Sequence, residues 1–332
     1  MAGSPKVECP ECGTWIEKKN VPRHFMKVHP DQDPVARMRE RRIERPPRPF
    51  YEMPRSTVAG IFIAMFVLLL LVSGTLLFLS FHQPVESTPD SPRKVWYTAG
   101  DGAIINGTFY PALSKDQPTV YLVHDLGKDR TVWNEYAAEL QKEDYNVLAI
   151  DLRGHGGSTL NVKNPDIEYD WTEMNHDDLM GIELDIQGAY RWVHGEDENG
   201  KKNTEAGSDG AMIGVGRGGL FALSQVAKMS RERFMSAVVI SPLADVYSLD
   251  VIQVFENYGD VRPVMMAASE GDTIAGRVMD EVMGRKEADG ETNGITYYVT
   301  GNKVGMPLLE NQGLKERILE TLDQGWNTVP PT

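Results

Sequence analysis

The sequence predicts an α/β domain over residues 94–332, built as a mostly parallel sheet with helices on both faces. Three observations predict it. Short runs such as Thr119–His124 (TVYLVH), Asn146–Asp151 and Ala211–Val215 are apolar throughout, as in strands buried on both faces. Stretches with helical spacing separate these runs. The segment holds 239 residues, enough for one domain with a sizeable core.

In chain order, Lys94–Ala112 reads as a hairpin turning at Gly100-Asp101-Gly102. Thr119–His124 follows as a strand. Thr131–Glu143 is a helix, with Trp133, Tyr136, Ala137 and Leu140 on one face. Asn146–Asp151 is a strand, Asp177–His194 a helix, and Gly195–Asp209 a polar loop expected to stand out from the surface. Ala211–Val215 is a strand and Gly218–Met229 a helix. Ala237–Ser241, Val264–Ala268 and Ile295–Thr300 complete the strands, with helices near 273–284 and 311–324.

Four segments precede this domain: 1–32, 33–56, 57–81 and a linker at 82–93 that contains three Pro. Thr57–Phe81 is a run of 25 residues without an ionisable group, where about 20 suffice to cross the hydrocarbon core as a helix. A secretory signal has a shorter apolar region, nearer the N-terminus. A single membrane-spanning helix is therefore expected. Arg37, Arg39, Arg41, Arg42, Arg45, Arg48 and Arg55 crowd the 33–56 side, against only Arg93 and Lys94 close after the span. That bias places the N-terminus in the cytoplasm and residues 94–332 outside. The net charge of -14 divides unevenly: +4 over residues 1–56, -1 over 57–93 and -17 over 94–332. An acidic outer domain argues against a nucleic-acid partner for it.

Cys9 and Cys12 are the only cysteines, so no disulfide framework or cysteine nucleophile exists elsewhere in the sequence. They begin the pattern Cys9-x2-Cys12-x11-His24-x4-His29. A tetrahedral Zn2+ needs four nitrogen or sulfur ligands, and this order supplies two thiolates and two imidazoles. Residues 1–32 resemble the Cys2His2 zinc-finger family, with a central spacing one residue short of the usual. Such a segment is too small to fold on apolar burial alone, so metal binding would supply its folding energy. A lone classical finger reads only about three base pairs. A cytoplasmic protein partner fits the finger better than DNA, and a membrane-tethered nucleic-acid regulator stands as the alternative.

The stretch VYLVHDLGKDRTVW…YNVLAIDLRGHGGST resembles the first half of an α/β-hydrolase domain, most specifically at Asp151–Ser158. Gly214-Val215-Gly216-Arg217-Gly218-Gly219, between a strand and a helix, is similar to that superfamily's nucleophile elbow. The resemblance covers essentially all of 94–332 and lies with the lidless, serine-aminopeptidase-like or esterase-like branch. It implies the α/β-hydrolase fold. It also implies an oxyanion hole made by the backbone N–H groups of Leu126 and Arg217, and an acid at Asp272. The elbow pattern G-x-S-x-G has Gly216 in place of its serine, and glycine has no nucleophile. The histidine slot after the last strand holds Val304, and none of the seven His lies beyond His194.

Asp272 can equally serve as the cap of the helix after it. His124 and His155 read as structural residues of their turns, and Asp125, Asp245 and Arg217 as residues of the pocket rim. The resulting expectation is a catalytically degenerate hydrolase-like domain with an empty oxyanion hole, binding an extracytoplasmic ligand or protein. The rival expectation is an active hydrolase of ester or amide bonds using non-standard residues. Asn106-Gly107-Thr108 is a glycosylation sequon on the outer side.

Overall fold

A computed structural model describes residues 6–8, 15–17, 91–196, 200–207, 209–229, 233–246, 249–256, 262–289 and 294–327. The expected zinc ligands Cys9, Cys12, His24 and His29 and the expected span 57–81 lie outside the described residues. Among the described residues no helix is long and apolar enough to cross a membrane. Nor do they hold a group of three or more His, Cys, Asp or Glu placed for a metal ion. At the N-terminus β1 (Lys6–Glu8) pairs antiparallel with β2 (Trp15–Glu17), Val7 opposite Ile16.

The large domain is built on an eight-stranded sheet. Its strands are β3 (Arg93–Thr98), β4 (Ile104–Tyr110), β5 (Thr119–Val123), β6 (Asn146–Ile150), β7 (Gly210–Val215), β8 (Ser236–Ile240), β11 (Val264–Ser269) and β12 (Gly294–Val299). Their order is β12-β11-β8-β7-β5-β6-β4-β3. From β6 to β12 the pairings are parallel; β3 and β4 attach antiparallel at one edge. A small ribbon, β9 (Asp245–Val246) with β10 (Leu249–Asp250), follows β8.

The helices are α1 (Asn134–Lys142), α2 (His176–Met180), α3 (Ile182–His194), α4 (Gly216–Lys228), α5 (Val251–Glu256), α6 (Thr273–Asp289) and α7 (Gln312–Asn327). They divide between the two faces, as the unbroken apolar strands require. Alternate strand residues go to opposite faces. Tyr121 and Val123 pack with Ile186, Phe221 and Met279, from α3, α4 and α6. Val120 and Leu122 pack with Ala137, Leu140 and Ile318, from α1 and α7.

Three elements differ from the sequence expectation, each for a local reason. The helix expected over 177–194 is broken into α2 and α3 at Gly181. A Cβ there would stand 2.1 Å from Nη1 of Arg153, so the chain approaches the buried arginine too closely for a side chain. That guanidinium, 1% exposed, donates to Asp185 (Nη2 to Oδ1, 2.7 Å) and to Asp101 (Nη1 to Oδ2, 2.6 Å). The loop expected to stand out over 195–209 is held at its C-terminal part: Thr204 Oγ1 donates to the Val193 carbonyl and the Gly207 N–H to that of Gln117. The helix expected from Thr131 opens as a 3-10 turn, Arg130–Trp133, capped by the Asp129 side chain, before α1 begins.

Candidate functional site

The C-terminal ends of the parallel strands bring together the loops that follow β5, β6, β7, β8, β11 and β12, the usual side for ligands in such sheets. The elbow after β7 retains its shape. Gly216 has φ +56°, between extended Val215 and the first turn of α4. Glycine takes this left-handed conformation without steric cost.

The expected oxyanion-hole donors do converge, and they converge on an atom of the protein itself. The Leu126 N–H donates to Asp125 Oδ1 at 2.9 Å and the Arg217 N–H donates to the same oxygen at 3.0 Å. The hole is therefore filled, which corrects the expectation of an empty one. A Cβ built on Gly216 would lie 2.7 Å from Cγ of Asp125 and 2.8 Å from each carboxylate oxygen. The carboxylate stands where an elbow side chain would begin. It does so for a physical reason: α4 has no side-chain cap of its own, and a carboxylate at a helix N-terminus satisfies an orphan N–H and meets the positive end of the dipole. The Arg217 guanidinium lies 4.0 Å from the same oxygen, both side chains being partly exposed.

The other triad positions stand apart from proton transfer. Val304 is 56% exposed. Its neighbour Gly305 donates its N–H to Ser241 Oγ at 2.8 Å, which fixes the loop after β12. Asp272 accepts the Ala275 N–H at 3.1 Å and so caps α6. Asp245 belongs by its backbone to the β9–β10 ribbon.

The two nearby histidines are fully engaged. His124 Nε2 accepts the Leu152 N–H at 3.0 Å, so Nδ1 carries the proton and donates to the Asp125 carbonyl at 2.8 Å. Burial pushes this ring down to about 4. His155 repeats the pattern: Nε2 accepts from Gly127 at 2.9 Å and Nδ1 donates to the Arg153 carbonyl at 2.9 Å. Burial lowers its pKa as well. Neither ring has a free nitrogen to take a proton from a substrate.

The turn Asp151–Ser158 is held from inside. Asp151 accepts the Arg130 N–H (2.8 Å), the Gly157 N–H (2.9 Å) and the Arg130 guanidinium. Asn106, the acceptor of the sequon, sits within β4, and its amide donates to the Gly157 carbonyl at 2.7 Å. Its nitrogen is committed to the fold.

Two residues have places that no motif announces. Asp125 is expected at the pocket rim and lies in the hole; the signal for it is a carboxylate in the oxyanion loop together with a glycine at the elbow. Trp171, 43% exposed beside His155, carries no motif at all.

Comparison with known proteins bears on the fold. Residues 114–270 match the family model described as serine aminopeptidase, S33. An esterase from Pyrococcus furiosus superposes with TM-score 0.55 at 18% identity, over 70% of this chain and 91% of that one. An alpha/beta hydrolase from Penicillium sp. sh18 gives 0.54 at 14%, over 71% and 99%. Dienelactone hydrolase from Anabaena variabilis gives 0.52 at 17%, over 73% and 99%. No curated protein matches the chain. At these identities the likeness is one of fold, and the large domain of this chain has the α/β-hydrolase fold.

Proposed function

We propose that residues 94–332 form a hydrolase-fold binding domain without serine hydrolase chemistry. In this reading a single span at 57–81 holds the domain outside the cell membrane, and a zinc finger faces the cytoplasm. The observation that carries the loss of chemistry is the occupied hole: both donors that would stabilise a tetrahedral oxyanion are spent on Asp125 Oδ1. Oxyanion stabilisation is usually a large term in acyl transfer, with about 10²–10³ in rate lost per donor removed. Gly216 and Val304 remove the nucleophile and the base independently. The surviving surface at the strand ends would meet an extracytoplasmic ligand or protein.

The finger rests on its donor set. Cys9, Cys12, His24 and His29 are the ligand types of a closed structural zinc site. The strand pair β1–β2 brackets Cys9 and Cys12 in the chain. Zinc there would supply folding energy rather than catalysis. A cytoplasmic protein is the partner this module suits.

The test uses the full chain in lipid nanodiscs. A fluorophosphonate probe should label no serine stoichiometrically, p-nitrophenyl acetate should be cleaved only at the background rate, and metal analysis should find one zinc per chain. Stoichiometric labelling, or turnover lost in Asp125→Asn or Asp272→Asn, would overturn the non-enzymatic reading in favour of a hydrolase with non-standard residues. A sample without zinc would overturn the finger.

A further inference from the structure

A shallow depression of about 350 Å³ opens between the loop after β5 and the turn after β6. Lys128, Asp129, Thr131, His155 and Trp171 line it, with glycine backbone between them. Its volume is at the lower end of the ~300–1,000 Å³ typical of ligand sites.

Trp171 is the one aromatic side chain besides His155 in its lining. Leaving a large indole 43% exposed forgoes apolar burial, yet the surrounding chain is built to seat it there. The ring stacks on His155, centroids 5.6 Å apart and planes 19° from parallel. A Cβ at Gly127 would come within 3.1 Å of the indole, and one at Gly154 within 2.7 Å of the Trp171 nitrogen. Both glycines have positive φ. Two positions thus go without side chains so that the indole can lie on a histidine that is itself locked by two hydrogen bonds. A rigid aromatic surface with few conformations to lose is what a binding site requires.

The polar groups beside it are balanced. Lys128 supplies an ammonium with no carboxylate partner among the described residues. Asp129 supplies a carboxylate whose Oδ1 is bound by the Thr131 N–H at 2.8 Å. One cation and one anion give no surplus for a phosphate or for a quaternary ammonium, which favours an aromatic site without a competing ammonium. Only Val132 joins Trp171 as an apolar lining residue, so an acyl chain would find too little wall.

A neutral polyhydroxylated ring fits all of these features. Its C–H face lies on the indole, and its hydroxyl groups accept from Lys128 and donate to Asp129. We propose that this depression is a saccharide-binding subsite for one or two sugar rings. The inference goes beyond the loss of hydrolase chemistry and does not depend on it, since Asp125 lies outside the lining.

The full chain is labelled with 5-fluorotryptophan and placed in lipid nanodiscs, avoiding sugar-headed detergents. Trp171→Phe assigns the Trp171 resonance in the 19F spectrum. Maltose, cellobiose, mannobiose and chitobiose are then titrated to about 20 mM, the affinity range expected of an open site. Choline chloride and sodium phosphate are titrated in parallel.

At least one disaccharide should shift the Trp171 resonance saturably, and Lys128→Ala should weaken that binding about fivefold, roughly 1 kcal/mol. An unmoved Trp171 resonance with all four disaccharides would overturn the proposal. So would a saturable response to choline or phosphate instead, or binding indifferent to Lys128→Ala. Fluorophosphonate labelling bears only on the loss of chemistry, so the two failures are told apart.

Discussion

Two aspartates at the C-terminal end of the sheet perform the same operation in different surroundings. Asp151, after β6, gathers two backbone N–H groups and the Arg130 guanidinium and is wholly buried. Asp125, after β5, gathers two backbone N–H groups on one oxygen, with a third of its side chain still exposed. The first organises a turn that the superfamily resemblance identifies. The second fills a cavity that the resemblance says should receive a substrate. The turn behaves as part of the scaffold, indifferent to whether chemistry occurs. Under the proposed reading, the two N–H groups that would serve an oxyanion serve a helix cap instead.

The comparison can be broken most severely at Asp151. Asp151→Ala takes the acceptor from two N–H groups and leaves the partly buried Arg130 guanidinium with its Thr108 hydrogen bond alone, and should cost about 3 kcal/mol, read from urea unfolding of the full chain. A loss below about 1 kcal/mol would mean that burial does not separate the two aspartates.

Acid provides a second contrast. His124 is neutral in the fold with its pKa lowered to about 4 from 6.5. The unfolded chain then binds more protons between these values, so stability is present above pH 6.5 and falls as pH drops toward 4. This one ring accounts for up to roughly 3 kcal/mol. His124→Asn should flatten the slope of stability against pH in that window by about one proton. An unchanged slope would place the titration elsewhere.

The smallest effects come from the hole itself. Asp125→Ala removes an accessible cap and should cost about 1 kcal/mol. Gly216→Ser forces a side chain into left-handed backbone and into the Asp125 carboxylate, at a cost of about 2 kcal/mol. The double variant Asp125→Ala, Gly216→Ser relieves the collision. A double-mutant cycle should show about 1 kcal/mol of favourable coupling, and additive losses would mean that the carboxylate is not what keeps position 216 bare.

Much of this architecture is legible in the sequence because buried strands announce themselves. Every strand of the parallel part coincides with an apolar run to within one residue at each end. Breaks that depend on partners distant in the chain are not legible. Helical spacing runs smoothly through Gly181, and only Arg153, 28 positions earlier, makes glycine necessary there. The β9–β10 ribbon is too short to carry a period. At the site, missing groups could be read directly from Gly216 and Val304. What replaced them could not, because the approach of Asp125 to the N–H of Arg217 spans 92 positions. Trp171 was equally hidden: stacking on His155 leaves no spacing in the chain.

The sheet order has a consequence for synthesis. Strand β5 is flanked by β6 on one side and by β7 on the other. The first neighbour starts at Asn146 but the second only at Gly210. At about 5–20 residues per second on the ribosome, the far edge of β5 waits several seconds for its partner. During that interval β3, β4, β6 and β5 can form a half-sheet whose open, wholly apolar edge is a template for wrong pairing. The crossover from Asp151 to Asp209, with its buried aspartate, arginine and histidine, is synthesised in that same interval. Helix α1 precedes β6 in the chain and sets Ala137 and Leu140 against Val120, Leu122, Val147 and Ala149, so one face of the unfinished sheet is covered before its edge is paired.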